Sequence, residues 1–230
     1  MSTNKIMKNV VSFDLWNTLI QIEDKNRKFL TKTLSKHSHY NEKQIIEIVK
    51  TTGKYFDDLS IICSDEKKSL FKLTTLIENC KANISALSLE SLISQDLNKY
   101  PPKIIDKKGL KILDEYFIKN SLGFIIASNS GFVSMEIMSD IISKLKIDKM
   151  KSFQKSFFSE DIAYAKPSKG FFKEIRNHGY KILLHVGDHP KADYDVADRT
   201  INTVLFDREE IFSEADYTKV KKIEDIIIFL

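Results

Sequence analysis

Four places in this 230-residue chain set an acid, an ammonium or a hydroxyl close behind an apolar run. Asp14, with Asn17 and Thr18 after it, follows NVVSF, and Ser128, Asn129 and Ser130 close the run LGFIIA. Lys166 comes after the short apolar run Ser156 to Phe158, and Asp188 follows KILLHVG with Asp193 five residues on. In a parallel α/β sheet the loops leaving the carboxyl ends of the strands converge on one crevice, so these groups would share a site. Three carboxylates around one point repel each other unless a cation sits among them. Lys166 adds an ammonium. Ser128, together with the free N–H groups of a helix opening after Ser130-Gly131, would receive anionic oxygens. One aspartate at a strand end is unremarkable; the ordered set is what points to chemistry.

The elements that must position these groups alternate. Asn9 to Phe13 reads as a buried strand. From about Glu23 to Pro101 apolar residues recur at helical spacing: Phe29, Leu30, Thr33 and Leu34, then Ile45, Ile46 and Val49, then Leu70, Leu73, Ile77 and Cys80, then Leu89, Leu92, Ile93 and Leu97. That pattern predicts a bundle of four or five helices, ended by Pro101 and Pro102, which cannot continue a helix. A helix over about 108–120 follows, then the strand reaching Ser128 and an amphipathic helix carrying Val133, Ile137, Ile141 and Ile142. Next come the helix FFKEIRNHG, the strand KILLHV, a short helix, the strand INTVLF, residues Asp216 to Thr218, and a helix from Ile223 to Ile228. Strands alternating with helices imply a parallel sheet. The fold class is α/β, with a core formed by residues 1–21 and 103–230 and an inserted all-α domain over 22–102.

Composition excludes several classes. With 42% hydrophobic residues, 7 Gly and 4 Pro, the chain can bury a core and is neither fibrous nor disordered. Its 36 basic residues, nearly all lysine, are scattered among 32 acidic ones, which makes a solvated surface and not a nucleic-acid footprint. Cys63 and Cys80 are too few for a disulfide framework and read as small core hydrophobes in a reducing compartment. The leading MSTNKIMKNV is polar, and no apolar run approaches the 18 residues of a membrane span. The expectation is a cytoplasmic protein without nucleic-acid or membrane partners, monomeric or homodimeric.

Four motifs together carry a family resemblance: Phe13-Asp14-Leu15-Trp16-Asn17-Thr18-Leu19, Ile125-Ile126-Ala127-Ser128-Asn129, Ala165-Lys166-Pro167, and Val186-Gly187-Asp188 followed by Asp193. Over nearly its whole length the chain resembles the haloacid dehalogenase-like hydrolase superfamily, in the subfamily I arrangement with a helical cap inserted after the first strand. The resemblance implies a Rossmann-like core and a small phosphorylated substrate. It also implies Asp14 as nucleophile through an aspartyl-phosphate intermediate, Lys166 as neutralising cation, and Ser128 and Asn129 as phosphate-binding residues. Mg²⁺ would be held by Asp14, the Trp16 main-chain carbonyl, Asp188 and Asp193, the last directly or through water. Hard oxygen ligands agree with that ion, and a carboxylate can attack phosphorus only if the repulsion between two anions is cancelled. Asn17 stands where the family usually has Gly, and Asn tolerates positive φ.

The family's phosphatases place a second aspartate two residues after the nucleophile, as general acid and then base. Here that residue is Trp16, which would border the substrate but cannot transfer a proton. The contribution at stake is about 10²- to 10⁴-fold in rate. The family's dehalogenases also lack this acid, because halide leaves unprotonated; against that reading, they work without metal and do not keep the acid pair that Asp188 and Asp193 preserve. A degenerate protein that binds Mg²⁺ and phosphate is the third alternative. His189 is a conceivable substitute acid. His37 and His39, assigned to a helix, would point to different sides of it. Phe157, Phe158, Phe171, Phe172, Met135 and Met138 read as packing.

Overall fold

The apolar runs form strands because both of their faces are covered. On β1 (Lys8–Phe13) Val11 and Phe13 enter one hydrophobic cluster and Val10 the other. That two-sided burial is the signature of a parallel sheet between helical layers. A computed structural model describes residues 8–22, 24–63, 68–196, 200–212 and 217–230. Residues 1–7, Glu23, Asp216 and the side chain of Cys63 lie outside the described residues.

After β1 come β2 (Ile20–Gln21), α1 (Asp24–Lys36), α2 (Glu42–Cys63), α3 (Ser69–Asn79), α4 (Ala86–Lys99) and β3 (Lys103–Ile104). Then follow α5 (Lys107–Lys119), β4 (Gly123–Ser128), α6 (Met135–Lys144), β5 (Phe153–Phe158), α7 (Ser159–Ile162) and α8 (Lys169–Asn177). The chain closes with β6 (Tyr180–Gly187), a π-helical turn at Pro190–Tyr194, β7 (Asn202–Phe206), β8 (Lys219–Val220) and a 3₁₀ helix at Ile223–Phe229. The last segment is 3₁₀ where the sequence suggests an ordinary helix.

The main sheet is ordered β5-β4-β1-β6-β7-β8, and every neighbouring pair is parallel. The order reverses between β1 and β6, and in such sheets the crevice for ligands opens at that point. Leu110, Leu113 and Phe117 of α5 and Met138, Ile141 and Ile142 of α6 cover one face; Phe171, Phe172 and Ile175 of α8 cover the other. Each such side chain contributes about 1.5–3 kcal/mol by leaving water.

Among the described residues four helices lie between β2 and β3, two short strands paired antiparallel with Ile20 opposite Ile104. The helical segment therefore leaves and rejoins the core through one narrow hairpin. Its interior holds Leu34, Ile45, Leu73, Leu76, Ile77, Leu89, Ile93 and Leu97, and α1 packs on both α2 and α4. Leu70, read as part of the apolar stripe, is instead exposed; the buried stripe of α3 is Leu73, Leu76 and Ile77, with Cys80 just past its end. His37 and His39 lie in the turn after α1 and not on a helix. Among the described residues no helix is long and apolar enough to cross a membrane.

Candidate active site

The site is assembled from strand ends. Asp14 is the first residue past β1, and its N–H donates to the Val186 carbonyl at 2.8 Å, tying it to β6. The chain then folds into a tight turn in which the N–H groups of Leu19 and Ile20 both reach the Leu15 carbonyl. Asn17 takes φ of 58° there, and its N–H donates to the Ile20 carbonyl. A short polar residue suits this left-handed position because L side chains with a bulkier Cβ are strained in it. Asp188 follows β6, and Asp193 sits on the π-helical turn beyond it. A Cβ on Gly187 would lie 2.2 Å from the Asp193 carboxyl carbon, so any side chain there would have to displace Asp193.

Lys166 is the hub. Its ammonium donates to Asp14 Oδ1 at 2.7 Å and to Asp193 Oδ1 at 2.5 Å, and all three side chains are buried. Asn129 fixes the lysine's backbone, accepting from the Lys166 N–H at 2.8 Å and donating to its carbonyl at 3.2 Å. The Asn129 amide is thus engaged in positioning Lys166. Ser128, at the end of β4, is buried beside Asp14 and favours its charged form. Thr18 makes a long 3.5 Å contact to Asp188.

Asp14, Asp188 and Asp193 each offer an oxygen within 4.8 Å of the others. If all three are ionised, Lys166 offsets one charge of three, and the remainder calls for a divalent cation. The protonation balance says the same. Burial pushes the Asp14 carboxyl up, against the pull of Lys166. Burial, then the charges of Asp14 and Asp193, push Asp188 up from 3.8 to about 7. Burial also penalises the Asp193 carboxylate, but Lys166 and the His185 ring outweigh it and hold that carboxyl below the usual range. Burial works against the Lys166 ammonium too, and Asp14 and Asp193 overcome it, so its pKa is raised. The donor set is all hard oxygen, of the kind that suits Mg²⁺.

The raised Asp188 carboxyl gives stability a pH dependence of definite sign. An acid whose pKa rises on folding stabilises the fold while protonated; for Asp188 that contribution is full below 3.8 and lost as pH climbs through about 7. Above that range the charged carboxylates repel unless a cation replaces the proton. Magnesium is expected to raise the melting temperature clearly at about pH 8.5 and hardly at about pH 5.5, because protons compete for the same oxygens. Thermal melts with and without Mg²⁺ check this; an equal gain at both pH values would contradict it.

The structure adds residues that the sequence did not single out. His185, on β6, is wholly buried, with Nδ1 3.0 Å from Ser12 Oγ and Nε2 3.2 Å from Asp193 Oδ1. Burial lowers its pKa, so it is a neutral ring that helps to orient Asp193. A polar residue in the middle of KILLHV is the available signal. Asp57, on α2, lines the cleft with Asp14, Lys166, Asp188 and His189. Periodicity alone cannot say which residue on a polar helix face looks toward a crevice.

One expectation is corrected. No helix opens at Ser130-Gly131: Gly131 has φ of 57°, α6 begins only at Met135, and the Met135 N–H is taken by Glu160 Oε2 at 3.2 Å. The other Glu160 oxygen accepts from the Ser69 N–H and hydroxyl at the start of α3. One carboxylate therefore satisfies two helix N-termini, one in the helical segment and one in the core. His189 holds its own turn together, its Nδ1 accepting from the Ala192 N–H at 3.2 Å while its N–H donates to Asp193 Oδ2. Phe158 and Met138 are buried in one hydrophobic cluster, on which the partly buried Met135 packs, and Phe157, Phe171 and Phe172 are buried in the other.

Sheet order and reversal point define a doubly wound α/β fold, with three clustered acids and a buried ammonium at its crest. Comparison with solved structures finds the same fold in proteins described as a HAD-hydrolase and as haloacid dehalogenases. YfnB of Bacillus subtilis, described as a HAD-hydrolase and solved bound to magnesium, matches with a TM-score of 0.66 and 14% identity over 97% of this chain and 99% of that one. A 2-haloacid dehalogenase of Pseudomonas syringae pv. Tomato DC3000 matches at 0.56 and 15% over 97% and 98%. The L-2-haloacid dehalogenase RSc1362 matches at 0.63 and 12% over 97% and 98%. No family model matches the sequence, and no curated protein does. At these identities the likeness establishes the fold.

Proposed function

We propose that the chain is a magnesium-dependent phosphohydrolase acting on a small phosphorylated molecule through an aspartyl-phosphate intermediate. The observation that carries this reading is the convergence of three carboxylates within 4.8 Å, two of them bonded to one buried ammonium. Asp14, the Trp16 carbonyl, Asp188 and Asp193 would hold the ion, Asp193 directly or through water. When bound, Mg²⁺ supplies positive charge to the phosphoryl oxygens and removes the repulsion between them and Asp14. Ser128 donates to a phosphoryl oxygen, and Lys166 balances the charge of Asp14 and steadies its carboxylate. An Asp14 oxygen bonds to phosphorus as the bond to the leaving oxygen breaks, and that oxygen departs with the electron pair. Water then attacks the same phosphorus, displaces Asp14 and gives up a proton as inorganic phosphate forms. The cleft that Asp14 lines has a volume of about 200 Å³, ample for a phosphoryl group.

Trp16 sits where a proton donor would serve the leaving group, and an indole cannot do so. Acyl and aryl phosphates, whose leaving groups are weak bases, are therefore the favoured substrates. The same residue favours a second reading, a dehalogenase, since halide needs no proton and several structural neighbours carry that name. One assay separates them: an aryl phosphate, acetyl phosphate and a 2-haloacid, each with Mg²⁺ and with chelator. Phosphate release that chelator abolishes is the expected result. Chelator-insensitive halide release would replace the proposal with dehalogenation, and inertness toward all three would leave a protein that binds and does not turn over.

A further inference from the structure

Next to the catalytic cleft lies a second cavity of about 300 Å³, walled by Trp16, Phe29, Leu30, Leu97, Phe132 and Val133. Phe29 and Leu30 come from α1 and Leu97 from α4, while Phe132 and Val133 belong to the turn before α6. The helical segment and the core thus each supply a wall. Trp16 and Asn129 border both this cavity and the catalytic cleft, so the two adjoin across the indole. Trp16, Phe29, Leu30, Phe132 and Val133 pack on the main core cluster yet are only partly buried, leaving apolar surface facing the cavity. Surface of that kind gains about 25 cal/mol per Å² when a ligand covers it.

We propose that this cavity receives the organic part of the substrate, and that the substrate is a phosphorylated compound whose organic part is apolar and about one aromatic ring in size. The inference rests on the phosphohydrolase reading for the identity of the anion. Two independent features agree on it. In-line transfer sends the leaving oxygen away from Asp14, and the cavity that adjoins the catalytic cleft across Trp16 offers aromatic walls suited to a ring. Separately, the absence of an acid at position 16 restricts efficient turnover to leaving groups that depart unprotonated, which phenolates do and sugar alkoxides do not. A wider cavity of about 670 Å³ also meets the catalytic cleft, at Asn17 and Asp188, and is bordered by Gln21, Lys103, Asp207, Arg208 and Glu209. Its mixed charges would suit a polar tail instead.

The test uses non-hydrolysable probes: methyl-, propyl-, phenyl- and 3-hydroxypropylphosphonate, titrated in Mg²⁺. Trp16 is the only tryptophan, so its fluorescence reports occupancy where the two cavities meet. The dissociation constant is expected to fall about fourfold for each added CH₂, phenyl to bind most tightly, and 3-hydroxypropyl more weakly than propyl. Val133→Phe, which fills the cavity, is expected to collapse the phenyl-over-methyl ratio. Affinity that is flat across the tails, or tighter binding of the hydroxylated tail than of propyl, would overturn the inference while leaving magnesium-dependent phosphate release untouched. Tail-dependent binding in a protein that releases no phosphate would uphold the apolar site and remove the phosphohydrolase reading.

Discussion

Asp14→Asn is expected to lower phosphate release by about 10⁴-fold or more while leaving the fold intact. A carboxamide cannot form the acyl phosphate, and removing a nucleophile costs more than removing any single stabilising contact. Structure should survive because the carboxamide oxygen can still accept from Lys166, which also keeps Asp193 as a partner. One of three mutually repelling carboxylates is lost as well, so the melting temperature without metal should hold or rise. Circular dichroism and a phosphate-release assay on the purified variant check both halves. Residual turnover near the wild-type level would mean that another group attacks phosphorus.

The second large effect runs the other way. Trp16→Asp is expected to raise turnover of alkyl phosphates by about 10² to 10⁴-fold, the usual worth of a positioned general acid. Aryl phosphates should gain much less, because their leaving groups already depart unprotonated. The surroundings help: an aspartate at 16 would stand beside Asp14 and Asp188, whose charges keep a neighbouring carboxyl protonated longer. The indole packs on the main core cluster, so some stability is lost with it. Measuring kcat for an alkyl and an aryl phosphate in both proteins separates the effects, since lost stability lowers both rates and restored proton transfer lifts one. Equal change in both rates would show that something other than a missing proton carrier limits the enzyme.

Much of this architecture is legible in the sequence because a parallel sheet buried on both faces writes unbroken apolar runs. NVVSF, GFIIAS, KILLHV and NTVLF all form strands of the main sheet. The strand-end groups are readable for the same reason, since each follows directly from where a run stops. What escapes has no periodicity to reveal it. β2, β3 and β8 are two residues each, too short for an alternation. Glu160 caps two helices that lie 91 and 25 residues away in the chain, which only the folded topology brings together. Asn129, a phosphate-binding residue by the resemblance, lines the cleft, and its role in holding the Lys166 backbone through two hydrogen bonds has no signal in the sequence. Asn17 is the reverse case: a residue type unusual for its place announces its backbone conformation correctly.

The most direct measurement is rapid acid quench of the protein turning over acetyl phosphate, followed by mass spectrometry of its peptides. With Mg²⁺ present, one phosphoryl group should appear on the peptide bearing Asp14, and with chelator none. Turnover that proceeds while Asp14 stays unmodified, or a phosphoryl group carried by another residue, would contradict the assignment of this aspartate as the attacking group.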